Sequence, residues 1–183
     1  MLYRANTDNA AFSLTYRFDI GTCNSREIAL ALDYLPFLGT SRYNSRQLQE
    51  EFYRLACSYQ VFSGEDDIRI TLSGLSENMI PAVGLLEHIF ADISPNAEAL
   101  ANMIADLKKL RADYKLSKES ILWQGMLNFG IYGEKSPFTN VLSDEQLDAM
   151  KADQLVSFLR DLPAYPYEIL YYGPATPKKL IAI

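Results

Sequence analysis

Few residues in this chain are of a type that performs chemistry, and their spacing limits what they could do. His88 is the only histidine. It sits beside Glu87 on an amphipathic helix pattern and reads as a surface or boundary residue. Asp33 and Tyr34 are adjacent near the end of an earlier helix pattern, and both read as helix-surface residues. A catalytic zinc needs three protein ligands and an open fourth position for water. A tyrosine is a poor ligand because its phenol stays protonated near neutral pH. A Ser/His/Asp arrangement needs a suitably placed histidine, which the chain lacks. Counting alone leaves Cys and Lys nucleophiles open. No glycine-rich phosphate cradle is present. The two cysteines, Cys23 and Cys57, read as small buried or semi-buried residues rather than a disulfide pair.

The totals set the frame for these residues. A chain of 183 residues is one domain of ordinary size, with 49% hydrophobic and 22% charged residues. That is long enough to bury a substantial core. The formal net charge of −6 argues against a nucleic-acid partner, since such binding rests on clustered Lys and Arg. No apolar run approaches the roughly 18 residues of a membrane span. Met1 to Asn6 lacks the apolar core of a signal peptide. Asn6 to Asn9 leads straight into a strand, and Pro174 to Ile183 begins something apolar and stops. This pattern predicts one domain over 1–183, cut from a longer multi-domain polypeptide.

The elements that must position the site follow in order. Phe12 to Ile20 alternates, with Phe12, Leu14, Tyr16, Phe18 and Ile20 on one side and polar residues on the other. That is a half-buried strand, with the second face toward solvent or a partner. A helix runs from Arg26 to about Leu38 and is forced to end by Pro36. Asn44 and Gln47 form a capping box for a helix striped by Leu48, Phe52 and Leu55, with Glu50 and Arg54 paired across i, i+4. Ser58–Ser63 and Asp67–Leu75 read as a hairpin turning at Gly64-Glu65-Asp66. Ser76 caps a helix through Ile80, Val83, Leu86 and Phe90. A long helix spans about Asn96 to Leu116, with Met103, Leu107, Leu110 and Tyr114 on one stripe. Another starts at Ser117, carries Ile121, Leu122, Trp123, Met126 and Leu127, and stops near Gly133. Ser143 to Gln146 makes a second capping box. A helix over 152–161 and a strand over 167–172 complete the chain. Helices are grouped between strands, which predicts an α+β fold, an antiparallel-rich sheet with helices packed on one face.

One stretch adds a resemblance. Phe37-Leu38-Gly39-Thr40 follows a helix and enters a tight turn. This resembles the insulinase/pitrilysin/mitochondrial processing peptidase family of zinc proteases, in which an inverted His-x-x-Glu-His motif is followed by Phe-x-Gly-Thr. The stretch Tyr132 to Asn140 looks like the loop after the long helices of that family, and the likeness extends from the first strand to Tyr171-Tyr172-Gly173-Pro174. Aligned on this tail, Leu30 and Tyr34 occupy the histidine positions and Asp33 the glutamate position. The family's third ligand is a glutamate on a later helix, yet no glutamate lies between Glu98 and Glu119.

The resemblance therefore implies a metalloprotease-half fold without catalytic residues or a metal of its own. It implies a non-catalytic domain of a zinc metalloendopeptidase, walling a clamshell chamber and helping to bind a peptide or unfolded polypeptide. Zinc is expected in a separate catalytic half, on the same chain or another subunit. Tyr59 is the substrate-contact candidate, although Phe52 stands where the family's accompanying arginine would be and Arg54 is out of register. Lys135 to Phe138 is a second candidate contact, with substrate or partner. The bacterial periplasm or an organelle is the compartment the family suggests. The alternative is a structural or assembly subunit of the same fold with no protease partner.

Overall fold

A computed structural model describes residues 1–136 and 139–181. In chain order the elements are β1 (Leu2–Ala5), β2 (Ala11–Phe18), α1 (Glu27–Tyr34), β3 (Gly39–Thr40), α2 (Ser45–Arg54), β4 (Cys57–Ser63) and β5 (Ile68–Leu75). There follow α3 (Met79–Asp92), β6 (Ile93–Ser94), α4 (Ala97–Leu116), α5 (Lys118–Ser120), a π-helical turn (Ile121–Met126) and α6 (Leu127–Tyr132). The last are α7 (Asp144–Ala149), α8 (Ala152–Asp161), β7 (Tyr167–Gly173) and α9 (Pro177–Ile181).

Among the described residues the main sheet has five strands in the order β1-β7-β2-β5-β4. All neighbours are antiparallel except β1 and β7, which run parallel with Leu2 opposite Leu170 and Ala5 opposite Gly173. The predicted alternation holds along β2. Phe12, Leu14 and Phe18 are buried, while Ser13, Thr15 and Arg17 stay partly exposed. In β5, Ile68, Ile70 and Leu72 are buried on the same side. Period-2 patterning works here because helices cover one face only. The fold is the α+β layer that the sequence predicts, with β1 as an added parallel edge. That edge pairs residues about 170 positions apart, a separation that local pattern does not encode.

Helix α1 lies within this layer rather than on it. Ile28, Leu30, Ala31, Leu32 and Tyr34 are all buried, and the helix packs against β4, α8 and α4. A helix apolar on most sides is one that the fold surrounds. Both capping boxes form, at Asn44 with Gln47 and at Ser143 with Gln146. Other local expectations fail. Ser76 does not cap a helix; it begins a short 3₁₀ turn ahead of α3, whose preceding residue makes no side-chain cap. Ile80 faces solvent, and the buried face of α3 is Met79, Ala82, Val83, Leu86, Ile89 and Phe90. Glu50 pairs with Arg46 at 2.9 Å and Arg54 with Glu51 at 2.8 Å, so the Glu50–Arg54 pair is not formed. Arg54 has both Glu50 and Glu51 within one turn on the wet face, and Glu50 is taken by Arg46 instead.

Candidate functional site

The turn after α1 is built from its own side chains. Leu35–Phe37 tightens into a 3₁₀ turn containing Pro36, which ends the helix. Gly39 then passes so close to the next turn that a Cβ would lie 2.6 Å from the Tyr43 carbonyl oxygen. Only glycine fits that approach. The Thr40 amide donates to the Tyr43 carbonyl at 2.7 Å, and Thr40 Oγ1 accepts from the Tyr43 amide at 3.2 Å. Gly39–Thr40 pairs with Ile93–Ser94 in a short second ladder. His88 Nε2 lies 3.2 Å from Thr40 Oγ1, and the Ser41 amide donates to Asp92 at 3.0 Å. The hydrogen bonds from Ser41 hold the Asp92 carboxyl below the usual range. His88 thus helps pin this turn to α3 as a half-buried boundary residue, and Phe-x-Gly-Thr is a structural joint.

The motif positions themselves are filled. Leu30 is 4% exposed and Tyr34 is 0% exposed. The Tyr34 hydroxyl donates to the Asn96 carbonyl at 2.6 Å and accepts from the Asn96 amide at 2.8 Å. Both of its polar functions are spent on the residue that caps α4. This corrects the expectation of a surface tyrosine: the apolar run Leu30-Ala31-Leu32 around it was the signal that the whole turn is interior. Asp33 does face outward, and desolvation by the surrounding protein raises its carboxyl. Helix α4 offers the buried pair Leu100 and Ile104 toward the core. Among the described residues no three His, Cys, Asp or Glu side chains converge on a point that could hold a metal ion.

Tyr59 stands opposite Leu72 on the helix-covered face of the sheet. Its ring centroid lies 5.1 Å from that of Phe52, and burial pushes its phenol up to about 12. Phe52 is itself buried. Tyr59 and the α1 positions are therefore not brought to one open surface. Of Lys135 to Phe138, Pro137 and Phe138 lie outside the described residues. The end of that loop is tied down by Arg26, which donates to the Asn140 side chain at 2.8 Å. Cys57 is buried and Cys23 is exposed, both with free thiols. The exposed Cys23 departs from expectation because it lies in the loop after β2 rather than in an element.

Among the described residues, two open surfaces stand out. The first is the uncovered sheet face, a field of short polar side chains. Thr15 and Thr71 hydroxyls meet at 2.9 Å. Arg17 and Arg69 both bond Asp67, at 3.0 and 2.7 Å, and Arg69 lies 5.3 Å from the Phe62 ring centre. The Arg69 hydrogen bond, aided by Arg17, holds the Asp67 carboxyl below the usual range. The second surface is an apolar groove of about 1090 Å³ between the later half of α4, the π-helical turn, α6 and the segment at Leu142. Leu107, Leu110, Tyr114, Ile121, Met126 and Phe129 line it. Leu110 and Tyr114, expected on a buried stripe, are nearly half exposed there.

No protein-family model matches the sequence, and no curated protein matches it. Solved structures match by shape, and they define the class: the chain has the fold of an M16, insulinase-type peptidase domain. An M16 peptidase inactive domain from Pseudomonas fluorescens superposes with TM-score 0.79 at 18% identity, over 98% of this chain and 45% of that one. A mutant of the ferredoxin protease FusC in complex with Arabidopsis ferredoxin gives 0.76 at 13% identity, over 95% and 20%. The periplasmic protease PqqL from Escherichia coli gives 0.73 at 15% identity, over 96% and 20%. The chain thus spans about a fifth of the length of the two proteases and under half of the Pseudomonas domain.

Proposed function

We propose that this chain is a non-catalytic unit of an M16-type zinc peptidase. It walls part of the chamber and helps hold peptide substrate beside a separate zinc-binding half. Its contribution is positioning, in which binding substitutes for a random encounter. The observation that carries the reading is Tyr34. Where the resemblance places a zinc-binding histidine, this chain has a phenol enclosed in the core and bonded twice to Asn96. Leu30, at the other histidine position, is an apolar core residue. The uncovered sheet face supports the substrate role. Its hydroxyls and its Arg17–Asp67–Arg69 cluster offer hydrogen bonds that an extended polypeptide can use irrespective of sequence. Tyr59, on the opposite face, takes part in this proposal only as a support for β4.

The test is metal content and cleavage. The purified chain, loaded with zinc, dialysed and assayed by elemental mass spectrometry, is expected to retain far less than one zinc per chain. It should not cleave a quenched fluorogenic peptide. One tightly held zinc, or cleavage that a chelator abolishes, overturns the reading.

A further inference from the structure

A pocket of about 370 Å³ opens between the helix-covered face of the sheet, α3 and the end of α8. That is at the small end of the roughly 300–1,000 Å³ usual for small-molecule sites. Its walls are aromatic: Tyr16 and Phe18 on β2, Phe90 on α3 and Tyr167 at the start of β7. The Tyr167 ring centre lies 5.8 Å from that of Tyr16, edge-on, and 5.5 Å from that of Phe18. Two charged side chains complete the lining, Glu87 on α3 and Arg160 on α8, and both are exposed. Among the described residues neither is in an ion pair. Arg160 donates to the Ile93 carbonyl at 2.6 Å, which fixes its guanidinium and leaves further N–H donors free. The half-buried Tyr16 hydroxyl likewise makes no hydrogen bond among the described residues, although a tyrosine hydroxyl taken from water usually finds a partner. Burial, and after it the charge of Glu87, push this phenol up to about 12, so it remains a donor at neutral pH.

We propose that this pocket binds a free α-amino acid with an aromatic side chain. Charge and shape select that ligand together. A ligand with only a positive charge would face Arg160, and one with only a negative charge would face Glu87. A zwitterion satisfies both. Its ammonium donates to the Glu87 carboxylate, and its carboxylate accepts from the free N–H groups of Arg160, hydrogen bonds of the stronger, charge-assisted kind. The Tyr16 hydroxyl supplies one further donor to that carboxylate. The ligand ring enters among the four aromatic side chains, where offset and edge-to-face contacts are available. A residue at the end of a peptide carries only one of the two charges, so the ligand is the free amino acid and not a chain end. None of Leu30, Asp33 and Tyr34 lines this pocket. Binding here therefore holds whether or not the chain takes up zinc, and the metal and cleavage assay above does not bear on it.

The test is titration of the native protein with phenylalanine, read by isothermal calorimetry and by hydrogen exchange with peptide mass spectrometry. One phenylalanine is expected to bind at this unit, with slowed exchange in the parts of α3 and β7 around Phe90 and Tyr167. The compounds 2-phenylethylamine and 3-phenylpropionate keep the ring and one charge each, and should bind about tenfold more weakly or worse, the loss expected for a hydrogen bond to a charged group. Absence of saturable binding, protection confined to other segments, or equal binding of either single-charge compound overturns the proposal. Ala91 lines the pocket and is exposed, so Ala91→Trp should fill the mouth and abolish binding while the exchange pattern of the rest of the unliganded protein persists. Glu87→Gln should weaken phenylalanine by about tenfold and leave 3-phenylpropionate no weaker than before. Undiminished phenylalanine binding in either variant overturns the assignment to this pocket.

Discussion

Two helical segments of this molecule have nearly the same chemical character and opposite surroundings. Helix α1 is apolar on most sides, and the fold closes over it until Tyr34 has no exposed surface. The run from Ile121 to Tyr132 is at least as apolar, and its large side chains stand 44–63% exposed. Composition cannot separate the two. Their difference is what packs around them: α1 has β4, α8 and α4 as neighbours, whereas the later run touches mainly itself, α4 and the loop beyond. The first segment completes a core. The second is left largely uncovered by the residues described.

That contrast can be broken most forcefully in the sheet beneath α1. Leu72→Ala removes a side chain with 0% exposure and should cost ~2–5 kcal/mol of stability. Leu122→Ala in the later run should change stability by less than ~0.5 kcal/mol in this chain. Urea unfolding of both variants checks the pair, and equal losses would erase the distinction. Tyr34→Phe keeps the ring but leaves the Asn96 amide and carbonyl without their partner. It should cost about 1–3 kcal/mol, read from the same unfolding midpoints, and it should not create metal affinity. The smallest effect is one of pH. Asp67 has its carboxyl lowered by Arg69 and Arg17. Its stabilisation is complete above the ordinary carboxylate value of about 4 and is lost as pH falls through the lower folded value. Asp67→Asn should therefore flatten the acid side of the stability profile and leave the alkaline side unchanged.

The sequence made the elements with strong local grammar legible. The alternation in β2, the turn before β5 and the two capping boxes are settled by neighbours two to four residues apart, and all formed. What stayed hidden depends on distant partners. The β1–β7 pairing has no local signature. Tyr34 was placed on the surface because a tyrosine tolerates either environment, and only the position of Asn96 decides where its hydroxyl goes. The motif alignment located Leu30, Asp33 and Tyr34, and the structure supplied the reason why Gly39 matters there: the approach to Tyr43. The groove was harder still. The α4 part of its lining reads as one apolar stripe in the sequence, and the stripe pattern does not reveal that Leu110 and Tyr114 are left nearly half exposed.

The parallel pairing of β1 with β7 also decides how the molecule carries load. Tension drawn through the chain enters β1 at Leu2 and leaves β7 at Gly173, opposite ends of two strands that run the same way. Those strands are pulled past each other lengthwise, so the hydrogen bonds spanning Leu2↔Leu170 to Ala5↔Gly173 resist together. In a parallel pair those bonds are evenly spaced along the strands, so a lengthwise pull is shared among them. The short edge strand thereby puts the pairing at that edge of the sheet in shear, rather than in peeling, when those two ends are drawn apart.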